Sequence, residues 1–273
     1  MGFIGVMVVY CLFPIYWLVI SAAKSTQELL STNGFVPGAG FDLVGNLSHV
    51  FSYQGSAFAY WIGDTLLYAG VGAALATVLA AAAGYAFAKY RFRGRGVTFM
   101  IIIAGVMVPL PALSVPLYLV ASRVGLLDTV WSVFIPSCVA PLGVYLARIY
   151  AARAVPNELI DAGRIDGARE GTIFWRVGMP LMMPALATIF LFSFVGIWNN
   201  FFLPLVMLSN VKLFPLSLGL YTWMSDTMSP GSPSFLYGTV VTGSFVSIVP
   251  LAVAFLLLQR YWTTGLSLGA VNE

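Results

Sequence analysis

The densest chemistry in this chain lies in one short polar stretch, Pro156-Asn157-Glu158-Leu159-Ile160-Asp161-Ala162-Gly163-Arg164-Ile165-Asp166-Gly167-Ala168, set between two long apolar runs. Asn157 is placed to cap a helix, its side-chain oxygen accepting an orphan amide, and Pro156 stops that helix from starting earlier. Glu158 and Asp161 fall in the first turn, where negative charge suits the helix dipole. Asp161 and Arg164 have the spacing of a surface ion pair, worth roughly 0.2–0.5 kcal/mol. Ala162, Gly163, Gly167 and Ala168 leave the surface nearly bare, so the backbone of another protein can approach closely. Gly167 supplies a left-handed turn to end the helix. Such a stretch does its chemistry at a contact, and Glu158, Asp161, Ala162, Gly163, Asp166, Gly167 and Ala168 are its candidate residues. It needs no catalytic pocket.

A second polar group, Trp198-Asn199-Asn200, interrupts another apolar run. Amides in lipid are costly unless bonded, so Asn199 and Asn200 are expected to face the interior. There they either meet a passing solute or bond a neighbouring helix. Tyr118 and Tyr145 are weaker path candidates, because tyrosine also anchors helices at the membrane interface.

Other chemistries lack their residues. No Gly-x-x-x-x-Gly-Lys-Ser/Thr loop occurs, so any ATP, with its Mg, must be bound by another subunit. The chain is expected to hold no cofactor or metal and to be no enzyme itself. Its single histidine, His49, reads as a loop residue, and no His-Glu-x-x-His or paired intramembrane aspartate is present. Cys11 and Cys138 sit in apolar runs and read as small buried hydrophobes. No acid or base lies deep within an apolar run, Asp64 being close to the outer end of one. Ion-coupled carriers and voltage sensors keep charges in the membrane, so this argues against both.

These groups must be positioned by membrane helices. Sixty per cent of the residues are hydrophobic and 8% are charged, against about 25% charged in a soluble domain. Six segments, 2–23, 58–88, 97–121, 130–150, 181–208 and 235–259, have the length needed to cross a bilayer. Continuous apolar runs exclude the alternation of a barrel, so the spans are helices whose amides pair internally. The fold class is an all-α integral membrane protein with one transmembrane domain. The first segment is longer than the roughly 7–15-residue core of a signal peptide, and no basic residue precedes it; it reads as a retained span. Pro109, Pro111 and Pro116 in the third span, and Pro136 and Pro141 in the fourth, predict kinks. They either shape packing or line a path.

Orientation follows from the bases. Lys89, Arg91, Arg93, Arg95, Arg148, Arg153, Arg164, Arg169, Arg176 and Arg260 fall on one side, with Lys24, Arg123 and Lys212 on the other. Ten against three places both termini and the polar stretch in the cytoplasm.

Asp161-Ala162-Gly163-Arg164-Ile165-Asp166-Gly167-Ala168, followed by Val177-Gly178-Met179-Pro180, resembles the "EAA" loop of ABC importer permeases, with Asp for Glu and Gly for the second Ala. Gly84-Tyr85-Ala86-Phe87-Ala88-Lys89-Tyr90-Arg91-Phe92 and Trp198-Asn199-Asn200-Phe201 resemble the MalG-type carbohydrate branch. So do Gln259-Arg260-Tyr261-Trp262, Gly265-Leu266 and Gly269-Ala270-Val271, although that branch usually continues with Lys where this chain has Asn272-Glu273. The resemblance implies a type I ABC importer permease fold with a cytoplasmic coupling helix in the loop 152–180. It implies half of a sugar path, built with a second related permease in a bacterial plasma membrane. ABC ATPase subunits and an extracytoplasmic solute-binding protein complete the system. Asp161 would pair with an ATPase base, Asn199 and Asn200 with sugar hydroxyls, and Trp198 with a sugar face. Glycerol phosphodiesters are an alternative solute within the branch. An ion-coupled secondary carrier is the alternative outside it.

Overall fold

The computed structural model describes residues 2–267, with side chains through Gln259. The tail features at Arg260-Tyr261-Trp262, Gly265-Leu266, Gly269-Ala270-Val271 and Asn272-Glu273 lie outside the described side chains. Among the described residues there are helices and turns but no strand. The helices are α1 (Gly2–Ala22), α2 (Thr26–Ser31), α3 (Leu43–Leu66), α4 (Gly72–Lys89), α5 (Arg95–Val106), α6 (Leu110–Arg123), α7 (Val130–Ser137) and α8 (Pro141–Ala154). They continue with α9 (Asn157–Ile165), α10 (Glu170–Ile173), α11 (Met179–Leu181), α12 (Met183–Trp198), α13 (Phe202–Met207), α14 (Leu216–Thr227) and α15 (Leu236–Ser267).

Among the described residues, four helical runs are long and apolar enough to cross a membrane, or up to six if each sharply bent pair counts as one span. The bent pairs are α5 with α6, at 106°, and Glu170–Leu181 with α12, at 82°. Proline explains both. Pro109 precedes α6 in extended backbone, with φ −60° and ψ 132°, and Pro180 and Pro184 flank the second bend. The run containing the expected span 58–88 starts earlier, at Leu43, and ends at Lys89.

The chain forms two compact units. The first holds, of the described residues, 2–64 and 210–252. Its core is aromatic. Trp61 and Trp223 lie 4.5 Å apart, with Phe58 packed on both, and Gly219 leaves the space that the Trp61 ring fills. Both indoles have partners: Trp61 Nε1 donates to Val211 O at 2.7 Å and Trp223 Nε1 to Gln54 Oε1 at 2.8 Å. The second bond holds a left-handed interruption of α3, where Gln54, Gly55 and Ser56 have φ of 49°, 65° and 66°. Such backbone costs about 1–2 kcal/mol for each non-glycine residue. Lys24 is 1% exposed; its ammonium donates to Thr32 Oγ1 at 3.0 Å and Asn33 O at 2.6 Å, closing the loop after α2.

The second unit holds, of the described residues, 65–209 and 253–267. Its spine is α4 against α8, and small residues explain the closeness of the pair. A Cβ at Gly84 would lie 2.5 Å from Ala147 Cβ and 2.6 Å from Arg148 N, so only glycine fits. Without a hydrophobic drive in lipid, helices associate through such close contact. The buried cluster around this seam includes Tyr85, Ala147, Ala151, Ile160, Ile173 and Met182. Ile160 and Ile173 belong to the polar stretch and its return segment, so the cluster anchors the candidate contact helix.

Candidate functional site

The polar stretch forms α9, a helix of nine residues. Pro156, in extended backbone, occupies the N-cap position, so Asn157 is the first helical residue rather than the cap. The Asn157 side chain is used elsewhere: its Oδ1 accepts from Lys89 Nζ at 3.1 Å, tying the start of α9 to the end of α4. The helix ends as Gly167 dictates. Gly167 has φ +75°, its N–H donates to Arg164 O at 3.0 Å, and Ala168 N–H donates to Gly163 O at 2.9 Å. That pair of bonds is a Schellman turn, which satisfies carbonyls that the helix end would orphan.

Beyond the turn, the chain comes back onto α9. Arg164 donates through Nε to Glu170 Oε1 at 2.7 Å and through Nη1 to Asp161 Oδ1 at 2.9 Å. The other oxygen of Glu170 accepts from Tyr90 OH at 2.8 Å. Glu170 thus joins three segments: the end of α4, α9 and the start of α10. Its bonds to Arg164, and then to Tyr90, hold its carboxyl below the usual glutamate range. Burial, with the Glu170 carboxylate as second cause, raises the Tyr90 phenol.

The expected site residues divide between two roles. Glu158, Asp161, Ala162, Asp166 and Gly167 are exposed. Gly163 faces inward, and a Cβ there would sit 3.1 Å from Ile173, a residue 1% exposed. Ala168 packs against the buried cluster. The outward face also carries two apolar side chains, Leu159 at 46% and Ile165 at 86% exposure. The expectation of a face without projecting side chains does not cover these two. Tyr90, Glu170 and Ile165 are the functional candidates that spacing alone misses. Ile165 was readable as an apolar residue on a polar helix. The Arg164–Glu170 pair follows no helical period, because the chain reverses at Gly167.

A second candidate site is a cavity of about 730 Å³ within the second unit. Three helix interruptions open onto it: Val108 between α5 and α6, Val139 and Ala140 between α7 and α8, and Asn199 to Phe201 between α12 and α13. In lipid, non-helical backbone is tolerated only where protein or a water-filled cavity receives it. Beyond these interruptions the wall is apolar except for Ser114, Ser137 and Ser193, and none of its residues is charged. Asn199 and Asn200 both line it. The Asn199 amide donates to Val195 O at 2.8 Å, so one of its protons is already committed. Trp198 is 4% exposed and packs against Phe194, away from the expected role on a solute face.

Comparison with known proteins fits this arrangement. Residues 74–263 match the family described as binding-protein-dependent transport system inner membrane component. The chain belongs to that family. Proteins similar to it include the arabinooligosaccharides transport system permease protein AraQ of Halalkalibacterium halodurans, 33% identical over 264 residues, covering 95% of this chain and 91% of AraQ. The lactose transport system permease protein LacG of Rhizobium radiobacter is 30% identical over 261 residues, covering 96% and 91%. A crystal structure of a bacterial ABC transporter involved in the import of the acidic polysaccharide alginate shares the fold, with a TM-score of 0.83 at 24% identity over 95% of this chain and 94% of that one. This chain is therefore a multi-pass inner-membrane permease subunit of an ABC importer, with the type I permease fold. It is a transport component and not an enzyme.

Proposed function

We propose that this permease carries neutral sugars, and that α9 receives the work of ATP hydrolysis from a partner ATPase. One observation carries the path: three helix interruptions converge on a single uncharged cavity. Broken backbone supplies dipoles without charge, which suits a hydroxylated neutral solute better than an anion. The names of AraQ and LacG point to the same class of solute.

The loop 152–180 is the coupling element. Ile160 and Ile173 root it in the buried cluster, while Glu158, Asp161, Ala162, Asp166 and Gly167 face outward. The ATPase groove takes this face, with Leu159 and Ile165 as its apolar contacts and Asp161 or Asp166 beside a basic residue. Gly163 and Ala168 act from beneath, by letting α9 lie close to its own support. ATP and Mg stay in the ATPase. A second permease completes the path, a solute-binding protein delivers the sugar from outside, and both termini are cytoplasmic.

The test is uptake in proteoliposomes holding the permease pair and ATPase, with the binding protein outside and no ion gradient. Arabino-oligosaccharide or lactose uptake that needs internal ATP is the expected result. Uptake driven by an imposed ion gradient without ATP would overturn the reading. So would labelling of residues 157–168 from the side on which the binding protein acts.

A further inference from the structure

We propose that a small cavity of the first unit, about 250 Å³, binds one neutral sugar or polyol ring through that ligand's own hydroxyl protons. The cavity lies in the first unit and shares no lining residue with the larger one. Its floor is made by Thr239 and Thr242, which are buried, and its rim by Ser25, His49 and Phe235, which are exposed.

The proton count decides the chemistry. Thr242 Oγ1 donates to Ala22 O at 3.1 Å, and Thr239 Oγ1 to Phe235 O at 3.1 Å. Thr26 Oγ1 donates to the same Phe235 carbonyl at 3.4 Å, and Ser25 Oγ to Glu28 Oε2 at 3.3 Å. Asn46 spends both amide protons, on Ala22 O and Lys24 O, each at 2.9 Å. A hydroxyl that donates keeps lone pairs free to accept, as does an amide oxygen. Ser25 Oγ also accepts the Glu28 N–H at 3.3 Å, as the cap of α2, so Thr26, Asn46, Thr239 and Thr242 are the side chains that turn their protons toward the protein and offer acceptors to the cavity.

A ligand here must bring donors. An anion brings only further acceptors. An apolar molecule would leave the buried oxygens unpaired. A bare cation would meet no carboxylate among the lining residues to offset its charge. A ring bearing several hydroxyls meets each demand, and the volume suits one such ring. Phe235 and His49, edge to face at 4.7 Å, give its C–H surface an aromatic neighbour. The choice of a sugar as the biological ligand rests on the function proposed above; the acceptor chemistry stands without it.

His49 is the chain's single histidine and reports on this rim without interference. The experiment places the full chain, labelled with ring-¹³C histidine, in lipid nanodiscs and titrates methyl α-glucoside while following the imidazole signals. A saturable shift is expected. Thr239→Val, which keeps the shape and removes the oxygen, weakens it at least tenfold, while Thr239→Ser retains it. Gly238→Ala weakens it too, since the new Cβ would lie 2.5 Å from Thr26 Oγ1 and intrude on the cavity. Sodium chloride and sodium sulfate give no saturable shift. The proposal is overturned if methyl α-glucoside gives none, if Thr239→Val leaves the shift unchanged, or if sodium alone produces it. Wild-type ATP-driven uptake, measured in the same lipids, separates the two readings. A saturable shift without sugar uptake sinks the transport proposal and leaves this site standing; uptake without a shift does the reverse.

Discussion

Tyr90, at the end of α4, donates its hydroxyl to Glu170, 80 residues further along, at 2.8 Å. The other carboxylate oxygen of Glu170 holds Arg164 of α9. The orientation of the proposed coupling helix is therefore fixed on the α4–α8 seam through one side chain, in addition to the apolar plugs Ile160 and Ile173.

Tyr90→Phe removes the first of these bonds and leaves the ring. A bond to a solvent-screened carboxylate is worth roughly 1 kcal/mol, so local opening of the elbow rises by a factor of about 5. ATP-driven uptake is expected to fall several-fold with the protein inserted at normal levels. Unchanged uptake would show that the apolar plugs alone position α9.

The elbow has a defined pH response. Arg164 first, and Tyr90 second, depress the Glu170 carboxyl. A depressed carboxylate contributes stability above its unfolded value, about 4.3, and loses it as pH falls through the folded value. Amide protection over residues 164–170, normalised to free-peptide exchange, should stay level from about pH 8 to 5 and drop only below the ordinary glutamate range. Loss of protection near neutrality would assign the elbow to a different group.

Gly167 has φ +75° and open space where a Cβ would stand, so substitution is limited by backbone rather than contact. Gly167→Ala is expected to cost about 1–2 kcal/mol and to reduce uptake partially. Asparagine, which tolerates left-handed backbone, restores most of it. Gly167→Pro, with φ held near −65° and the bond to Arg164 O lost, abolishes uptake and uncouples the ATPase. A proline variant with normal uptake would remove α9 from the coupling role.

Gly196 lines the large cavity and has nothing within 4 Å of its Cβ position. Gly196→Phe should leave thermal stability within about 0.5 kcal/mol and reduce uptake strongly by filling the path. Stability loss with uptake retained would place the solute elsewhere.

Much of this was legible in residue types. The prolines of the third apolar run announced the bend between α5 and α6, and Gly167 marked the end of α9 through the one backbone region that favours glycine. The sequence was silent where two distant segments meet. Nothing in the spacing of Tyr90, Arg164 and Glu170 announces their contact, because it depends on a reversal at Gly167 and on how closely α4 lies to α8. Asn157 misled for a related reason: its side chain had a cation from another helix within reach and left the cap to Pro156. Trp198 reads equally well as a path residue or as packing, and only its neighbour Phe194 distinguishes the two.

Lys24 carries a practical consequence. Its nitrogen is sealed inside the loop it closes, while the chain's other two lysines, Lys89 and Lys212, stand at a helix end and in an exposed turn. Amine-acylating reagents applied to the intact subunit will therefore reach the exposed Lys212 and spare Lys24. Acylation at Lys24 marks molecules whose loop has come apart, a chemical gauge of integrity that needs no transport assay.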